Sequence, residues 1–263
     1  MTDQANSQSL TDLMDPARAR ALQATLGDVP NIASGDPLPP FFHQIYFWDA
    51  QLPDDLGRDG HPKRGGFLPD LGLPKRMWAA GKMVFHQPLL AGIRATKTST
   101  IESVLRKSGR SGPLAFVRVR HDIRQRNALV LTEWQELVYR DDDAVASAPP
   151  IARTDETYVE TRTCDPTLLF RYSALTFNGH RIHYDQPYAR SVEGYDGLVV
   201  HGPLLAHDLM QLAVKKLGQL THFSYRATAP LMDHETATFC WHDDGTAWVR
   251  GPDGRQCMIA TAS

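Results

Sequence analysis

The stretch PLLAHDLMQLAVKKLG, residues 203–218, decides the fold. Two lysines close it and Gly218 follows them, which is typical of the end of a helix. Its apolar residues recur at helical spacing, so we expect one buried helix with a single apolar stripe. The stripe consists of Leu205, Leu209, Met210, Leu212 and Ala213.

Short strands follow this helix. Residues 223–231, 236–245 and 246–262 are rich in β-branched and aromatic residues, and the PDGR turn around Gly254 interrupts the last of them. A buried helix followed by an antiparallel meander predicts an α+β fold in which a sheet curls around a central helix.

The first half of the chain contains similar strand segments, FVRVRHDIRQ and ALVLTEWQELVYRDD, in which apolar and polar residues alternate. It has no equally good central helix, so we predict two copies of one unit, the first of them degenerate. The stretch from Asp141 to Arg153 is rich in Asp, Ala and Pro, as linkers are. It predicts an N-terminal domain over residues 1–145 and a C-terminal domain over residues 146–263.

Three further segments of the N-terminal half have a recognisable character. Residues 12–26 predict a short helix that Asp15 caps and Pro16 begins. The segment FFHQIYFWD predicts a strand or an ordered aromatic stretch. Residues 51–75 are rich in Pro and Gly and predict a long loop, and loops of that length in compact domains are usually functional or mobile.

The composition limits the classes of function. The 263 residues are 42% hydrophobic and 22% charged, with a formal charge of -2 at pH 7, which is the balance of a globular protein without a nucleic-acid partner. The polar start is unlike a signal sequence, and no apolar run approaches the ~20 residues that cross a bilayer, so we expect no membrane partner and a cytoplasmic location. Three cysteines without a CxxC pair indicate free thiols.

The polar residues that could carry chemistry are concentrated in residues 171–202, next to the start of the central helix. Such residues are often placed on loops that a rigid scaffold holds. Within this stretch lie Arg171, Tyr172, Ser173, Asn178, His180, His183, Asp185, His201 and Gly202.

Hydration of an unsaturated thioester needs a base for the water, a polar group that holds the water, and donors for the charge on the thioester oxygen. His183 has the side chain whose ordinary pKa suits a base at neutral pH. Asn178 can hold the water. The Gly202 N–H, at a helix N-terminus, can meet the oxygen, and glycine leaves room for the ligand.

The stretches RYSALTFNGHRIHYDQPYA and LVVHGPLLA resemble the MaoC-like hot-dog hydratases and dehydratases. Their usual signature is an Asp, an Asn-Pro step, a His five residues after the Asp, and a downstream His-Gly pair. His183 takes the His position and His201-Gly202 matches the pair, whereas Asn178 stands where common members carry Asp. The resemblance implies a double hot-dog, two antiparallel sheets each wrapping a central helix.

The segment TFNGHRIHYD is similar to the sequences of one sub-branch of this family. That sub-branch includes mesaconyl-C4-CoA hydratases, itaconyl-CoA hydratases and mitochondrial hydroxyacyl-thioester dehydratases. This resemblance implies an enoyl-CoA hydratase for a short branched dicarboxylyl-CoA. The alternatives are a (3R)-hydroxyacyl-thioester dehydratase of fatty-acid synthesis and a non-catalytic protein that binds acyl-CoA. We expect the substrate-binding residues to be Arg171, Tyr172, Arg181, Asp185 and His201.

Several of these residues also have structural interpretations. Asp185 could orient His183 or cap a turn, and His201 could simply hydrogen-bond the loop. Arg190 is a further candidate for a substrate carboxylate, because a guanidinium fork matches carboxylate geometry. His180, His183 and Asp185 are metal-ligand types, but we expect no metal and no other cofactor. A homodimer and a monomeric double unit both remain open.

Overall fold

The computed structural model describes residues 7–109, 112–141 and 148–263. Ten strands form a single sheet in which all neighbours pair antiparallel. The strands are β1 Ser7–Leu13, β2 Lys75–Phe85, β3 Arg94–Gly109, β4 Gly112–Gln125, β5 Ala128–Arg140, β6 Tyr158–Thr163, β7 His222–Ala227, β8 Thr236–Trp241, β9 Thr246–Arg250 and β10 Gln256–Ala262. The α-helices are α1 Pro16–Leu26, α2 Pro166–Thr176, α3 Gln186–Ser191 and α4 Gly202–Leu217.

The strand order confirms two copies of one unit. The sheet runs β1-β3-β4-β5-β2 through the N-terminal half and continues β7-β10-β9-β8-β6 through the C-terminal half. Each half contributes five strands. From either outer edge of the sheet to its centre, the strands of a half follow in the same order: its first strand along the chain, then its third, fourth, fifth and second. The halves join where β2 pairs with β7, from Ala80 opposite Arg226 to Val84 opposite His222. The predicted boundary between residues 145 and 146 lies outside the described residues.

The central helix of the C-terminal half is α4, as its apolar stripe predicts. All five residues of the stripe are buried, and α4 contacts β7, β8, β9 and β10. It ends at Gly218, whose positive φ of 80° suits glycine. The N-terminal half has no such helix among its described residues; the aromatic segment instead buries Phe41, Phe42 and Ile45 and forms a short 3₁₀ turn rather than a strand.

The stretch from Phe170 to Ala189 is largely helical, although its polar residues are of the kind often placed on loops. Its first residues belong to α2, which Asp165 caps by accepting a hydrogen bond from the Leu168 N–H. A 3₁₀ turn and α3 follow. The helix forms because Leu169 and Tyr172 bury one face in the core.

Candidate active site

One large cavity, of about 1510 Å³, is lined by both halves of the chain. In the C-terminal half, the turn that follows α2 and the first turn of α4 line the cavity. In the N-terminal half, the start of β2 and the long Pro- and Gly-rich loop line it. The three residues predicted to be catalytic all line it: Asn178, His183 and Gly202.

His183 presents a neutral imidazole to this cavity. Its Nδ1 lies 2.7 Å from the carbonyl oxygen of Val199, so Nδ1 carries the proton and donates it to that oxygen. The structure gives Nε2 no hydrogen-bond partner among the described residues, which leaves its lone pair available. Burial lowers the pKa of His183 to about 3. The ring is therefore in its proton-accepting form at neutral pH.

His201 stacks against the His183 ring and does not line the cavity. The two imidazoles stack with centroids 3.6 Å apart, and His201 is fully buried. Its Nε2 lies 2.8 Å from the Ser173 hydroxyl, and the edge of the Tyr172 ring packs against it. The sequence predicts that His201 and Tyr172 bind substrate, but neither lines the cavity, because His201 packs behind the His183 ring and Tyr172 packs on His201.

Gly202 is the first residue of α4, whose first N–H groups have no acceptor within the helix. The indole of Trp78, on β2, covers it. A Cβ at this position would lie 3.0 Å from Trp78 Cε3, so a side chain there would push against the ring. The N–H at the positive end of a 16-residue helix is suited to an anionic oxygen.

Asn178 lies between α2 and the turn that carries His183. Its backbone N–H donates to the Ser173 carbonyl at 2.8 Å, and its Oδ1 accepts from the His180 N–H at 3.0 Å. Because Oδ1 is occupied, Nδ2 is the group that can hold a water oxygen.

The long loop of the N-terminal half brings Asp59 and His61 to the cavity wall beside His180. The sequence analysis did not identify these two residues. Asp59 Oδ2 lies 3.1 Å from His61 Nδ1, and the His61 ring is 4.2 Å from that of His180, which is in turn 5.4 Å from His183. Burial lowers the pKa of His61 by more than the contact with Asp59 raises it. One signal was present in the sequence: the long loop itself was expected to be functional or mobile.

Close packing of backbones fixes this loop. A Cβ on Gly60 would lie 2.0 Å from the carbonyl oxygen of Gly179, so no side chain fits there, and the Arg181 N–H donates to the Asp59 carbonyl at 2.9 Å. One ligand atom each from Asp59, His61 and His180 lies within 4.8 Å of the others, a set that could hold a metal ion.

The arginine and aspartate candidates point away from the cavity. Arg181 and Asp185 pair with each other at 2.8 Å, the guanidinium covers the Tyr188 ring, and Asp185 caps α3. Asp185 therefore caps a turn rather than orienting His183, and neither Arg181 nor Asp185, both predicted to bind substrate, lines the cavity. Arg171 is exposed on α2, and Arg190 donates to the Asp196 carbonyl.

The part of the cavity in the N-terminal half ends on ionisable side chains. The buried Glu133 carboxylate accepts from Gln44 at 2.9 Å and lies 3.0 Å from His43 Nε2. Burial alone would raise the pKa of Glu133, but the neighbouring imidazoles of His43 and His121 outweigh it, and the pKa falls to about 2. This end of the cavity is therefore charged, not apolar.

Comparison with known proteins places this geometry in a family. Residues 41–233 match the family described as hydroxyacyl-thioester dehydratase type 2. The chain is 45% identical to mesaconyl-C(4)-CoA hydratase of Chloroflexus aurantiacus over 253 residues, which cover 93% of this chain and 90% of the relative. It is 27% identical to the mitochondrial hydroxyacyl-thioester dehydratase type 2 of Schizosaccharomyces pombe, with 91% of each chain covered.

Solved structures agree on the fold. HtdX of Mycobacterium tuberculosis matches with a TM-score of 0.66 at 18% identity, covering 97% of this chain and 99% of its own. A second protein of that organism, described as a double hotdog fold, matches with a TM-score of 0.59 at 14% identity, covering 97% and 94%. The fold is a double hot-dog, and the chain belongs to the hydroxyacyl-thioester dehydratase type 2 family.

Proposed function

We propose that this chain is a hydro-lyase that reversibly hydrates the carbon–carbon double bond of an enoyl-CoA thioester, with a short branched dicarboxylyl group as the acyl part. The observation that carries the proposal is the neutral His183 imidazole, fixed through Val199, on the same cavity as the Gly202 N–H. The 45% identity to a mesaconyl-C(4)-CoA hydratase supports the choice of acyl group.

The proposed reaction begins at the water. Asn178 Nδ2 holds its oxygen while His183 Nε2 takes one of its protons, and the hydroxide adds to the β-carbon. The electron pair of the double bond moves onto the thioester oxygen, where the Gly202 N–H and the α4 dipole stabilise the negative charge. The α-carbon then takes the proton back from His183, so that one water has been added and the imidazole is neutral again.

His183 alone handles protons in this scheme, because the amide of Asn178 can position water but cannot exchange a proton at neutral pH. Stacking on His201 and the bond to Val199 hold the His183 ring in one orientation. Such preorganisation keeps the lone pair directed at the water without a cost in ordering during the reaction.

A long unbranched acyl chain fits this cavity poorly. The N-terminal end of the cavity contains Lys97, His121 and Glu133. Such ionisable side chains offer hydrocarbon little apolar surface to bury, so a fatty chain would gain little by extending there. The fatty-acid dehydratase alternative therefore gains no support from the cavity.

The decisive measurement follows the absorbance of the enoyl thioester with mesaconyl-C4-CoA, itaconyl-CoA, crotonyl-CoA and a twelve-carbon enoyl-CoA. We expect turnover of a branched dicarboxylyl substrate by wild type and its near-complete loss in His183→Ala. Hydration of the unbranched substrates alone would replace the dicarboxylyl proposal. Binding of all four thioesters without turnover would identify a non-catalytic acyl-CoA protein.

A further inference from the structure

Strand β2 forms a wall of the cavity, and two of its side chains leave the same face. Trp78 and Arg76 are two residues apart, both are half-buried, and both line the cavity. In a strand, residues at this spacing point the same way. Trp78 packs on Gly202, so the position of Trp78 marks the helix N-terminus where the thioester oxygen is proposed to bind.

Three other cations that line the cavity have a carboxylate nearby. Lys75 lies 3.7 Å from Glu193, Arg255 pairs with Glu235, and the charge of Glu133 acts on Lys97. In the described part of the chain, Arg76 pairs with no carboxylate and lies beside the hydroxyl of Tyr139, which is opposite it on β5. A half-buried guanidinium without a counter-charge is costly unless an anion binds there.

Arg76 lines the same cavity as His61, His180 and His183. Its neighbour on the same strand face, Trp78, covers Gly202, so Arg76 lies close to the proposed site of reaction. A ligand anion at Arg76 would therefore sit near the β-carbon rather than near the pantetheine arm.

We infer that Arg76 binds the free carboxylate of the acyl group and selects short dicarboxylyl thioesters over their monocarboxylyl counterparts. The inference rests on the proposed function for the position of the thioester, and it assigns the carboxylate to β2 of the N-terminal half. None of the arginines near the catalytic turn takes this role, because Arg181 and Arg190 are engaged elsewhere and Arg171 does not line the cavity.

Binding of unreactive thioesters tests the inference without depending on catalysis. Succinyl-CoA and butyryl-CoA carry four-carbon acyl groups with and without a free carboxylate, and calorimetry gives the Kd of each. We expect wild type to bind succinyl-CoA more tightly, and Arg76→Met to weaken succinyl-CoA about 100-fold more than butyryl-CoA, as for loss of a charged hydrogen-bonded pair. Arg76→Lys should restore part of the difference, because it keeps the charge but not the fork.

Two matched variants make the outcome decisive. Arg140→Met removes another guanidinium that lines the cavity, and Arg171→Met removes an exposed one outside it. The inference is overturned if wild type does not discriminate between the two thioesters, if Arg76→Met weakens both equally, or if Arg140→Met removes the preference instead. Melting temperatures of all variants identify any loss of folding. Absence of hydration with the preference intact would instead overturn only the proposed function.

Discussion

Replacement of His183 by glutamine separates the proposed base from its structural role. The glutamine amide can donate to the Val199 carbonyl as the imidazole does, but it has no nitrogen that accepts a proton at neutral pH. The variant should therefore keep the cavity and the Gly202 N–H while losing only proton transfer. Because His183 is buried, the melting temperature of the variant must be measured together with its activity.

The expected loss follows from the role of the residue. A positioned general base contributes about 10²–10⁴ in rate. We expect kcat of His183→Gln to fall about 1000-fold, which corresponds to about 4 kcal/mol of transition-state stabilisation. KM should change little, because His183 is proposed to act on the water and the reacting carbons rather than to bind the CoA portion.

The pH dependence of kcat gives a second, independent check. With a pKa of about 3, His183 is already neutral throughout the range from pH 6 to pH 8. We expect the wild-type kcat to be flat over this range, without the acid limb near pH 6.5 that an unperturbed imidazole would produce. Initial rates at constant ionic strength measure it.

His207→Met is the matched control, since His207 is also buried with a pKa lowered to about 3 but lies in α4 away from the cavity lining. It should leave kcat within a few-fold of wild type. A kcat of His183→Gln within tenfold of wild type, in a folded variant, would refute the assignment of His183 as the base.

Three further outcomes are expected. Gly202→Ala places a methyl group 3.0 Å from Trp78 Cε3 without backbone strain, so steady-state kinetics should show kcat/KM reduced about tenfold while thermal denaturation shifts the free energy of unfolding by at most about 1 kcal/mol. Gly60→Ala meets the Gly179 carbonyl at 2.0 Å and has a φ of +85°, so urea titration should show a loss of about 1–3 kcal/mol, and NMR should show altered imidazole signals of the catalytic turn. Finally, the fold should be acid-sensitive. An unfolded imidazole binds a proton near pH 6.5 and a buried one only below its lowered pKa, so stability is present above pH 6.5 and is lost as the pH falls. Lowering the pH from 7 to 5.5 should cost about 1 kcal/mol for each of the buried imidazoles of His183 and His207, measured by urea titration at each pH. Burial lowers the pKa of His201 as well, so His201 adds to the loss in the same direction.

The central helix and the residues proposed to react were predictable because their signals are local. The stripe on α4 repeats within 16 residues, and His183 and Gly202 belong to motifs that are continuous in the chain. The directions of neighbouring side chains were not predictable. Arg181 and His183 lie in the same tight 3₁₀ turn. The geometry of this turn directs the Arg181 guanidinium toward Asp185 and away from the cavity.

Residues from the other half of the chain could not be assigned from sequence. His61 and Arg76 are more than 100 positions before His183, and they reach it only because β2 pairs with β7 and the loop docks on Gly179. Such long-range contacts leave no periodic pattern. The helix α2 was missed for a different reason: its buried face is short, and its best signal was the Asp165-Pro166 start.

That start also reveals how the degenerate half came to serve the site. Asp15-Pro16 begins α1 after β1 just as Asp165-Pro166 begins α2 after β6, and each Asp caps its helix. What differs is the next segment, where the C-terminal half has α4 and the N-terminal half has an aromatic turn and a long loop. Without a second central helix, the loop is available to approach the catalytic turn. The hydrogen bonds between β2 and β7 hold Trp78 against α4, so the N-terminal half cannot shift without moving a wall of the cavity.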